Sequence, residues 1–406
     1  MGGAAVAVLV AITGLSLFYR SCLGVIAPEL TRDLGLTPET LGQANSAFFL
    51  ALAVLQVPVG LLLDRYGPRR VVAAFTALAV AGAAWQATVT TAAELTASRL
   101  LVGAGCAASF MGAITLCALW VSGARLATAL SRIFAFSQVG TFLAATPLAL
   151  AQTAFGWRWA FGVAAALTAL AGVVFYVVVR DRPADAPPPQ PESLGDVLRG
   201  LAEVWRTPGL PSVLAIHCFA YASMATVLGL WAGPYLAHVH GLSVESRGHV
   251  LLAMSVAQLV GILAFGPLDR RFDTRKWVIV PGAAASVALL GALALIPGLP
   301  LAAAIALLIL FTGVTSYAVV IVAHGRSLFA DRLIGRGVTT VNIAQVVGLT
   351  VLPLLSGEIL GAFPAPGAVS PEIAYRWAFG AIAATLGAGA LYYLAAAKDA
   401  KPTAAP

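Results

Sequence analysis

The stretch GLLLDRYGPRRV, residues 60–71, concentrates charge between two long apolar segments. In a chain of which only 10% is charged, seven consecutive positions hold four charged side chains: Asp64, Arg65, Arg69 and Arg70. The apolar segments on both sides run for about 20 residues, which is the length that spans a bilayer. The stretch therefore predicts a charged turn between two membrane-spanning helices.

Composition places the chain among membrane proteins. Of its 406 residues, 60% are hydrophobic, and the mean hydropathy is +0.91. Soluble domains are about half apolar and about a quarter charged. The four cysteines lie in apolar runs without a CxxC pair, so we interpret them as small buried side chains: Cys22, Cys106, Cys117 and Cys218.

Twelve apolar segments follow one another along the chain. The first lacks the basic region of a signal peptide and is long enough to span, so we interpret it as a helix. The sequence predicts an all-α integral membrane protein with twelve transmembrane helices in two pseudo-symmetric six-helix bundles. The predicted spans are 4–28, 43–63, 71–91, 95–120, 130–154, 159–179, 210–237, 248–268, 277–297, 300–323, 338–362 and 376–396.

One long polar stretch separates the sixth and seventh spans. It predicts an N-terminal bundle over 1–182, a cytoplasmic linker over 183–208, and a C-terminal bundle with a short tail over 209–406. A flexible linker is one interpretation of its second half. An amphipathic surface helix is the other, because six apolar residues share one helical face: Leu194, Val197, Leu198, Leu201, Val204 and Trp205.

Basic residues predict the orientation. With a cytoplasmic N-terminus, eighteen Lys and Arg residues fall on the cytoplasmic side and four on the other: Arg32, Arg158, Arg247 and Arg376. Cytoplasmic loops of membrane proteins carry the excess of Lys and Arg. We therefore predict a multi-pass protein of the cell inner membrane with both termini in the cytoplasm.

The charged turn has a second copy. GLLLDRYGPRR at 60–70 returns as GPLDRRFDTRK at 266–276, and GWRWAF at 156–161 returns as AYRWAF at 374–379. Arg132 and Arg336, each entering a fifth helix, form a weaker third repeat. Repeats in the same order indicate two homologous bundles, which is a transporter architecture with its substrate site near the midplane between the halves.

The first copy carries a family resemblance. It resembles the G-x-x-x-D-R-x-G-R-R loop of the major facilitator superfamily and has Pro68 at a position that is commonly basic. The matching residues are Gly60, Asp64, Arg65, Gly67, Arg69 and Arg70. RLLVGAG, residues 99–105, resembles the family's fourth-helix motif. The resemblance covers essentially the whole chain and implies a rocker-switch transporter with alternating access.

We expect the charged turns to act as a gate. Asp64 can accept hydrogen bonds from Arg65 or Arg69, and such a network can hold one conformation and break in the other. Basic anchoring alone is the alternative for Arg70. The second copy lacks the glycine, so we expect the gate mainly in the first half. The predicted gating residues are Gly60, Asp64, Arg65, Gly67, Arg69, Arg70, Asp269 and Arg270.

Arg20 is the main candidate for contact with a substrate. It lies well inside the first span, where an ionisable side chain is costly and is therefore a functional candidate. A guanidinium suits bidentate capture of a carboxylate or phosphate; the alternatives are pairing near Glu29 or snorkelling. Its place before Pro28 resembles, weakly, the first-helix arginine of organophosphate antiporters and anion:cation symporters, which implies an anionic substrate.

Arg99 is the second charge inside a span. By resemblance its motif is linked with proton relay, which makes it a coupling candidate; pairing with Glu94 or with helix carbonyls is the alternative. Further polar residues in the spans are candidate substrate contacts, although each can instead form a hydrogen bond between helices. They are Tyr19, Asn45, Gln138, His217, Tyr221, Gln258, Tyr317, Asn342 and Gln345.

The sequence is compatible with several hypotheses about the transported solute and the direction of transport. We expect uptake or exchange of a small organic anion, with a proton as a candidate co-substrate. A drug or metabolite efflux antiporter is the alternative, but the fifth helix lacks the glycine run of that class. A copper importer is a narrower alternative that depends on His238 and His240.

A membrane enzyme or a non-transporting sensor is the alternative hypothesis from a different functional class. The sequence has no GxSxG, no HExxH and no aspartate pair inside the spans. We expect no enzyme activity, no cofactor, no bound metal and no nucleic acid partner. We also expect a monomer in the bilayer.

Overall fold

The computed structural model describes residues 2–121, 124–181, 202–330, 333–363 and 371–402. Within these ranges every regular element is a helix. The chain divides into two compact units, the first comprising Met1–Leu36 and Gln43–Pro191 and the second Thr37–Gly42 and Glu192–Pro406. The main division falls inside the predicted linker.

Most of that linker lies outside the described residues, including Leu194, Val197, Leu198 and Leu201 of the predicted amphipathic helix. Of the same set, Val204 is buried and Trp205 is 61% exposed. A buried aliphatic residue beside an exposed tryptophan is consistent with a segment that has one apolar side against the protein.

Nine helices of the described chain form the first unit, except that the first turn of α3 belongs to the second. They are α1 (Gly3–Ser21), α2 (Leu23–Leu34), α3 (Pro38–Tyr66), α4 (Pro68–Gln86), α5 (Ala92–Trp120), α6 (Ala124–Ser137), α7 (Val139–Leu143), α8 (Thr146–Phe155) and α9 (Trp157–Val178).

The second unit holds a helical turn at 202–205 and nine further helices among the described residues. They are α10 (Leu210–Thr226), α11 (Ala232–His238), α12 (Val244–Phe265), α13 (Leu268–Phe272), α14 (Lys276–Leu295), α15 (Leu301–Val314), α16 (Ala318–Ser327), α17 (Ile334–Gly361) and α18 (Pro371–Ala396). A π-helical segment, Val227–Trp231, joins α10 to α11, and a 3₁₀ turn, Thr315–Tyr317, joins α15 to α16.

In the described chain, eleven helices or continuous helical runs are long and apolar enough to cross a membrane. Of the twelve predicted spans, the third corresponds to α4, which is not among the eleven. Its first turn contains Arg69 and Arg70, which lower its hydropathy. The all-helical membrane fold predicted from the sequence is confirmed, and the count of spans agrees approximately.

Close approach of helices follows from small residues. A Cβ at Gly103 of α5 would collide with the backbone of Phe48 on α3, and one at Gly348 of α17 would collide with the backbone of Cys218 on α10. Small residues allow membrane helices to pack at short distance. These contacts fix α5 against α3 in the first unit and α17 against α10 in the second.

Candidate functional site

The interior of the first unit is organised around Arg99 of α5. Its side chain is fully buried, and its guanidinium lies 4.6 Å from the centre of the Phe48 ring. One terminal nitrogen donates to the Tyr19 carbonyl at 2.6 Å, and the other donates to Asn45 Oδ1 at 3.3 Å. Of the two alternative partners considered from the sequence, Glu94 and a helix carbonyl, the structure gives the carbonyl, and the Asn45 amide is a further partner.

The Tyr19 carbonyl lies where the first span is interrupted. The helix stops at Ser21 and resumes at Leu23, with Cys22 between them. Cys22 Sγ is 3.9 Å from the same Arg99 nitrogen. A cation that binds a carbonyl at a helix break stabilises the break, because the last carbonyls of a helix lack intrahelical partners. Glu94, by contrast, lies in the first turn of α5 and accepts from the Thr90 N–H at 2.7 Å.

Arg20 lies at the end of α1, next to this break. It is half-buried, and its guanidinium carbon lies 4.9 Å from the centre of the Phe110 ring on α5. The Phe110 ring in turn lies 5.2 Å from the Phe134 ring on α6, with an interplanar angle of 30°. The sequence reasoning missed both phenylalanines, because an aromatic residue in an apolar helix carries no signal of its neighbours.

Two candidate contacts of the first unit point into the bundle. Tyr19 is fully buried, and its hydroxyl lies 2.9 Å from the Thr168 hydroxyl on α9. Asn45 is 2% exposed and binds Arg99. Gln138 is half-buried at the break between α6 and α7. The structure therefore gives Tyr19 and Asn45 interhelical partners and leaves Gln138 partly exposed.

The candidates of the second unit also differ in burial. His217 is 1% exposed and lies beside Gln345, while Gln258 and Tyr317 are buried. The Gln258 carbonyl accepts a hydrogen bond from the Ser316 hydroxyl at 3.0 Å. Half-buried positions hold the remaining three candidates: Tyr221, Asn342 and Gln345.

The charged turn of the first unit is held by an acid from the end of its last helix. Asp181, which follows α9, accepts the Arg69 backbone N–H at 2.6 Å. Arg69 Nε donates to the Tyr176 carbonyl at 2.7 Å, and its guanidinium carbon lies 4.4 Å from the Tyr176 ring centre. The turn itself requires glycine: Gly67 has φ +81°, and a Cβ there would lie 2.7 Å from the Asp181 carboxylate.

Other gating candidates of the first turn lie at its surface. Asp64, Arg65 and Arg70 are exposed, and the Arg65 guanidinium carbon lies 5.5 Å from the ring centre of the adjacent Tyr66. A Cβ at Gly60 would be 3.4 Å from the terminal carbon of Met111, a contact that a flexible side chain accommodates.

The second turn is more deeply buried. Asp269 is 7% exposed and lies 3.5 Å from Arg275 Nε, while Arg270 is exposed. Asp269 also accepts the Arg270 backbone N–H at 2.7 Å. Asp273 takes the left-handed conformation, with φ +49°, at the end of α13. The turn thus forms without the glycine that its first copy uses.

Asp399, which follows α18, caps the start of α14. It accepts from the Thr274 hydroxyl at 2.7 Å and from the backbone N–H groups of Lys276 and Arg275 at 3.0 and 3.2 Å. Partial burial raises the pKa of this carboxyl, but these hydrogen bonds outweigh burial and hold the pKa of Asp399 below its usual range.

The sequence reasoning missed Asp181 and Asp399, although a repeat could have revealed them. Arg180-Asp181 follows the last helix of the first unit, and Lys398-Asp399 follows the last helix of the second. Each aspartate caps the third predicted span of its own unit. A basic–acidic pair after each last helix is therefore a further element of the internal repeat.

The RWAF repeat also makes matching contacts in the two units. Arg158 donates to the Val89 carbonyl at 3.2 Å, beyond the end of α4, and Arg376 donates to the Ala294 carbonyl at 2.8 Å, at the end of α14. Trp157 Nε1 donates to Asp33 at 2.9 Å, and this hydrogen bond lowers the pKa of Asp33.

The two histidines of the copper reading have tyrosine partners. His238 Nδ1 lies 2.8 Å from the Tyr375 hydroxyl, and His240 Nε2 lies 3.3 Å from the Tyr235 hydroxyl. Among the described residues there is no group of three or more His, Cys, Asp or Glu side chains that could hold a metal ion. Each of the two histidines is thus placed to form a hydrogen bond with a tyrosine hydroxyl.

Comparison with known protein families gives one match. The model of the Major Facilitator Superfamily matches residues 9–324. The chain therefore belongs to this superfamily, and the match points to a transporter rather than an enzyme.

Individual relatives share limited sequence identity with this chain, and only over part of its length. A putative tartrate transporter of Agrobacterium vitis is 25% identical over 281 residues, covering 64% of this chain and 62% of its own length. A nitrate/nitrite transporter of Nostoc punctiforme is 30% identical over 168 residues, covering 39% of this chain and 33% of its own. The chain thus spans about three fifths or less of the length of these relatives.

A solved structure shares the fold over nearly the whole chain. The inward-facing, unoccupied structure of a bacterial homologue of the human lysosomal transporter Spinster superimposes with a TM-score of 0.79. The superposition covers 98% of this chain and 97% of that one, at 16% identity. This likeness describes the fold alone.

Proposed function

We propose that the chain is a secondary active transporter that moves a small organic anion across the cell inner membrane by rocker-switch alternating access. Arg20 binds the anion, and the charged turns at 64–70 and 269–276 gate the change of access. The observation that carries this proposal is a half-buried arginine inside a membrane span, seated over an aromatic ring.

Physical chemistry supports an anion as the cargo. A guanidinium inside a membrane is costly and remains charged, and it is suited to planar, bidentate recognition of a carboxylate. Its contact with Phe110 adds a favourable cation–π interaction. The names of the two relatives above refer to tartrate and nitrate, which are both anions.

The second buried arginine has a different part in the proposal. Arg99 binds the Tyr19 carbonyl, and Tyr19 directly precedes Arg20 in the chain. Arg99 therefore acts as a positioning residue for the interrupted turn that carries Arg20. A role in proton coupling stays a prediction.

The proposal also covers the orientation in the membrane and the oligomeric state. Both termini face the cytoplasm, as the distribution of eighteen against four basic residues indicates. We also propose that the protein acts as a monomer.

Reconstituted protein tests the function directly. Proteoliposomes at about pH 8, where carboxylic acids are ionised, are given radiolabelled tartrate, nitrate or benzoate. We expect uptake of at least one anion above protein-free liposomes, and a loss of about tenfold or more in Arg20→Ala. Arg206→Ala, at an exposed position, is the matched control and should retain uptake. Full uptake by Arg20→Ala would exclude Arg20 as the anion site.

A further inference from the structure

We infer that the first unit binds an anionic phospholipid, with an acyl chain in an apolar groove between α1, the α6–α8 run and α9, and with the headgroup at Arg132. This site goes beyond the proposed function, because Arg20 is not among the residues that line the groove. Three features carry the inference: the chemistry of the walls, the dimensions of the groove, and the position of Arg132.

The walls of the groove are made of hydrocarbon. Its volume is about 700 Å³, and among the described side chains that line it only Ser137 and Trp159 contain a polar atom. The Ser137 hydroxyl donates to the Ile133 carbonyl of its own helix at 2.8 Å. A polar solute would therefore lose hydrogen bonds on entering the groove, whereas an acyl chain has none to lose.

The groove is open on one side and as long as an acyl chain. Two of its lining residues, Phe136 and Leu170, are 64% and 60% exposed. The α1 wall runs from Ala4 to Phe18, which is about 21 Å at the rise of an α-helix. One leaflet of bilayer hydrocarbon is about 15 Å deep. Because all three walls belong to segments that can cross a membrane, a chain of the leaflet can lie along the groove at full length.

Small residues create this space. The predicted fifth span is broken into α6, α7 and α8, and α7 approaches α1 so closely that a Cβ at Gly140 would collide with the backbone of Gly14. Beside this contact the walls include Ala7 and Ala11 on α1 and Ala164 on α9. Protein interiors are otherwise closely packed, so a space of this size between helices is suited to a ligand.

Arg132 lies at one end of the groove. It is exposed and precedes the lining residue Phe136 by four positions on α6, so both side chains lie on one face of the helix. Trp120, which precedes α6, donates to the Arg180 carbonyl at 3.0 Å, and Arg180 is followed by Asp181 at the charged turn. Arg132 therefore lies toward the charged end of the unit, which the proposed orientation places in the cytoplasm.

An anionic phospholipid matches both parts of the site. A guanidinium binds phosphate well, and basic residues at the cytoplasmic surface attract anionic lipids. A second copy of the chain is the other occupant that an apolar groove suggests. That copy has a formal net charge of +7 and would bring like charge toward Arg132, so charge complementarity favours the lipid.

Native mass spectrometry of the purified full chain in mild detergent tests the site. The probes are phosphatidylglycerol, phosphatidylcholine with the same acyl chains, and glycerol 3-phosphate, which has a phosphate but no chain. We expect phosphatidylglycerol to bind about fivefold more tightly than phosphatidylcholine, the effect of one basic residue near an anionic lipid, and glycerol 3-phosphate not to bind. Equal binding of the two lipids would overturn the role of Arg132. Binding of glycerol 3-phosphate as tight as that of phosphatidylglycerol would overturn the groove.

A variant that fills the groove tests the acyl chain. Ala11→Phe, at an exposed position on the α1 wall, should weaken phosphatidylglycerol binding by about tenfold, because many small dispersion contacts are lost together. Ala166→Phe is the matched control, since Ala166 is exposed on α9 and does not line the groove. Thermal unfolding checks that each variant folds, and Ala7→Phe, also at an exposed lining position, replaces Ala11→Phe if it does not.

A second pair of variants tests the headgroup. Arg132→Ala should lower phosphatidylglycerol binding to the level of phosphatidylcholine, and Arg132→Lys should keep most of the preference. Arg206→Ala, at an exposed position of the second unit, is the control. Equal losses in Ala11→Phe and Ala166→Phe would overturn the groove as the lipid site. Dimers that disappear in Ala11→Phe, with lipid binding unchanged, would identify a second copy as the occupant and overturn the inference.

Discussion

In the first unit, the turn that precedes the third span uses Gly67 at φ +81°, whereas the corresponding turn in the second unit uses Asp273 at φ +49°. In both units an aspartate from beyond the last helix, Asp181 or Asp399, accepts the first N–H groups of the helix that follows the turn. Both turns thus combine a residue at positive φ with an aspartate cap, but the residue at positive φ is glycine in one turn and aspartate in the other.

Burial distinguishes the two turns. Asp64 of the first copy is exposed, whereas Asp269 of the second is 7% exposed and lies 3.5 Å from Arg275, whose side chain is 13% exposed. In sequence, the second copy is the weaker match to the family motif. A motif can thus lose its consensus residues while its carboxylate becomes more deeply buried.

The largest expected difference between the turns is the effect of neutralising their aspartates. Asp269→Asn leaves the Arg275 cation in a buried site without its carboxylate, which we expect to cost about 3 kcal/mol of unfolding free energy. Asp64→Asn changes an exposed carboxylate and should cost much less. Thermal unfolding in detergent, followed by tryptophan fluorescence, compares the two variants; equal shifts would remove the distinction between the turns.

The same two variants locate the gate. If the gate lies mainly in the first half, Asp64→Asn slows uptake by proteoliposomes more than Asp269→Asn does, although it destabilises the protein less. Substrate affinity should change little in Asp64→Asn. A lower affinity with an unchanged turnover rate would contradict a gating role for Asp64.

Backbone conformation provides the second test. Gly67→Ala puts a Cβ 2.7 Å from the Asp181 carboxylate at a positive φ, which should cost about 2 kcal/mol. Asp273→Gly relieves a left-handed aspartate but adds freedom to the unfolded chain, so its net effect should be within about 0.5 kcal/mol. Denaturation midpoints of the two variants check this; a large loss in Asp273→Gly would show that the Asp273 side chain is required.

Much of this architecture could be predicted from the sequence. Runs of about 20 apolar residues determine membrane helices by their length alone, and the repeats at 60–70 and 266–276 indicate two related bundles. The third span is the instructive exception. Because α4 begins at Pro68 and includes Arg69 and Arg70, its apolar part is short.

The directions of polar side chains could not be predicted. A helix that is apolar on every side carries no periodicity to show which face is the interior. Tyr19 and Arg20 are adjacent in sequence, yet one is fully buried against Thr168 and the other is half-buried beside Phe110. Which of two neighbours faces a cavity depends on helices that are distant in sequence.

The smallest expected effect concerns the two capping aspartates. Asp399 accepts three hydrogen bonds at the start of α14, whereas the described contact of Asp181 with α4 is the Arg69 N–H. Asp399→Ala should therefore cost more than Asp181→Ala, although by only about 0.5 kcal/mol because Asp399 is exposed.

The contribution of the Asp399 cap to stability should depend on pH. The pKa of Asp399 is lower in the folded protein than its ordinary value, so its carboxylate stabilises the fold above about pH 4. That contribution is lost as the pH falls through the folded-state pKa. The melting temperature of the wild type should approach that of Asp399→Ala as the pH falls below about 4, whereas a constant gap would show that the cap acts through shape rather than charge.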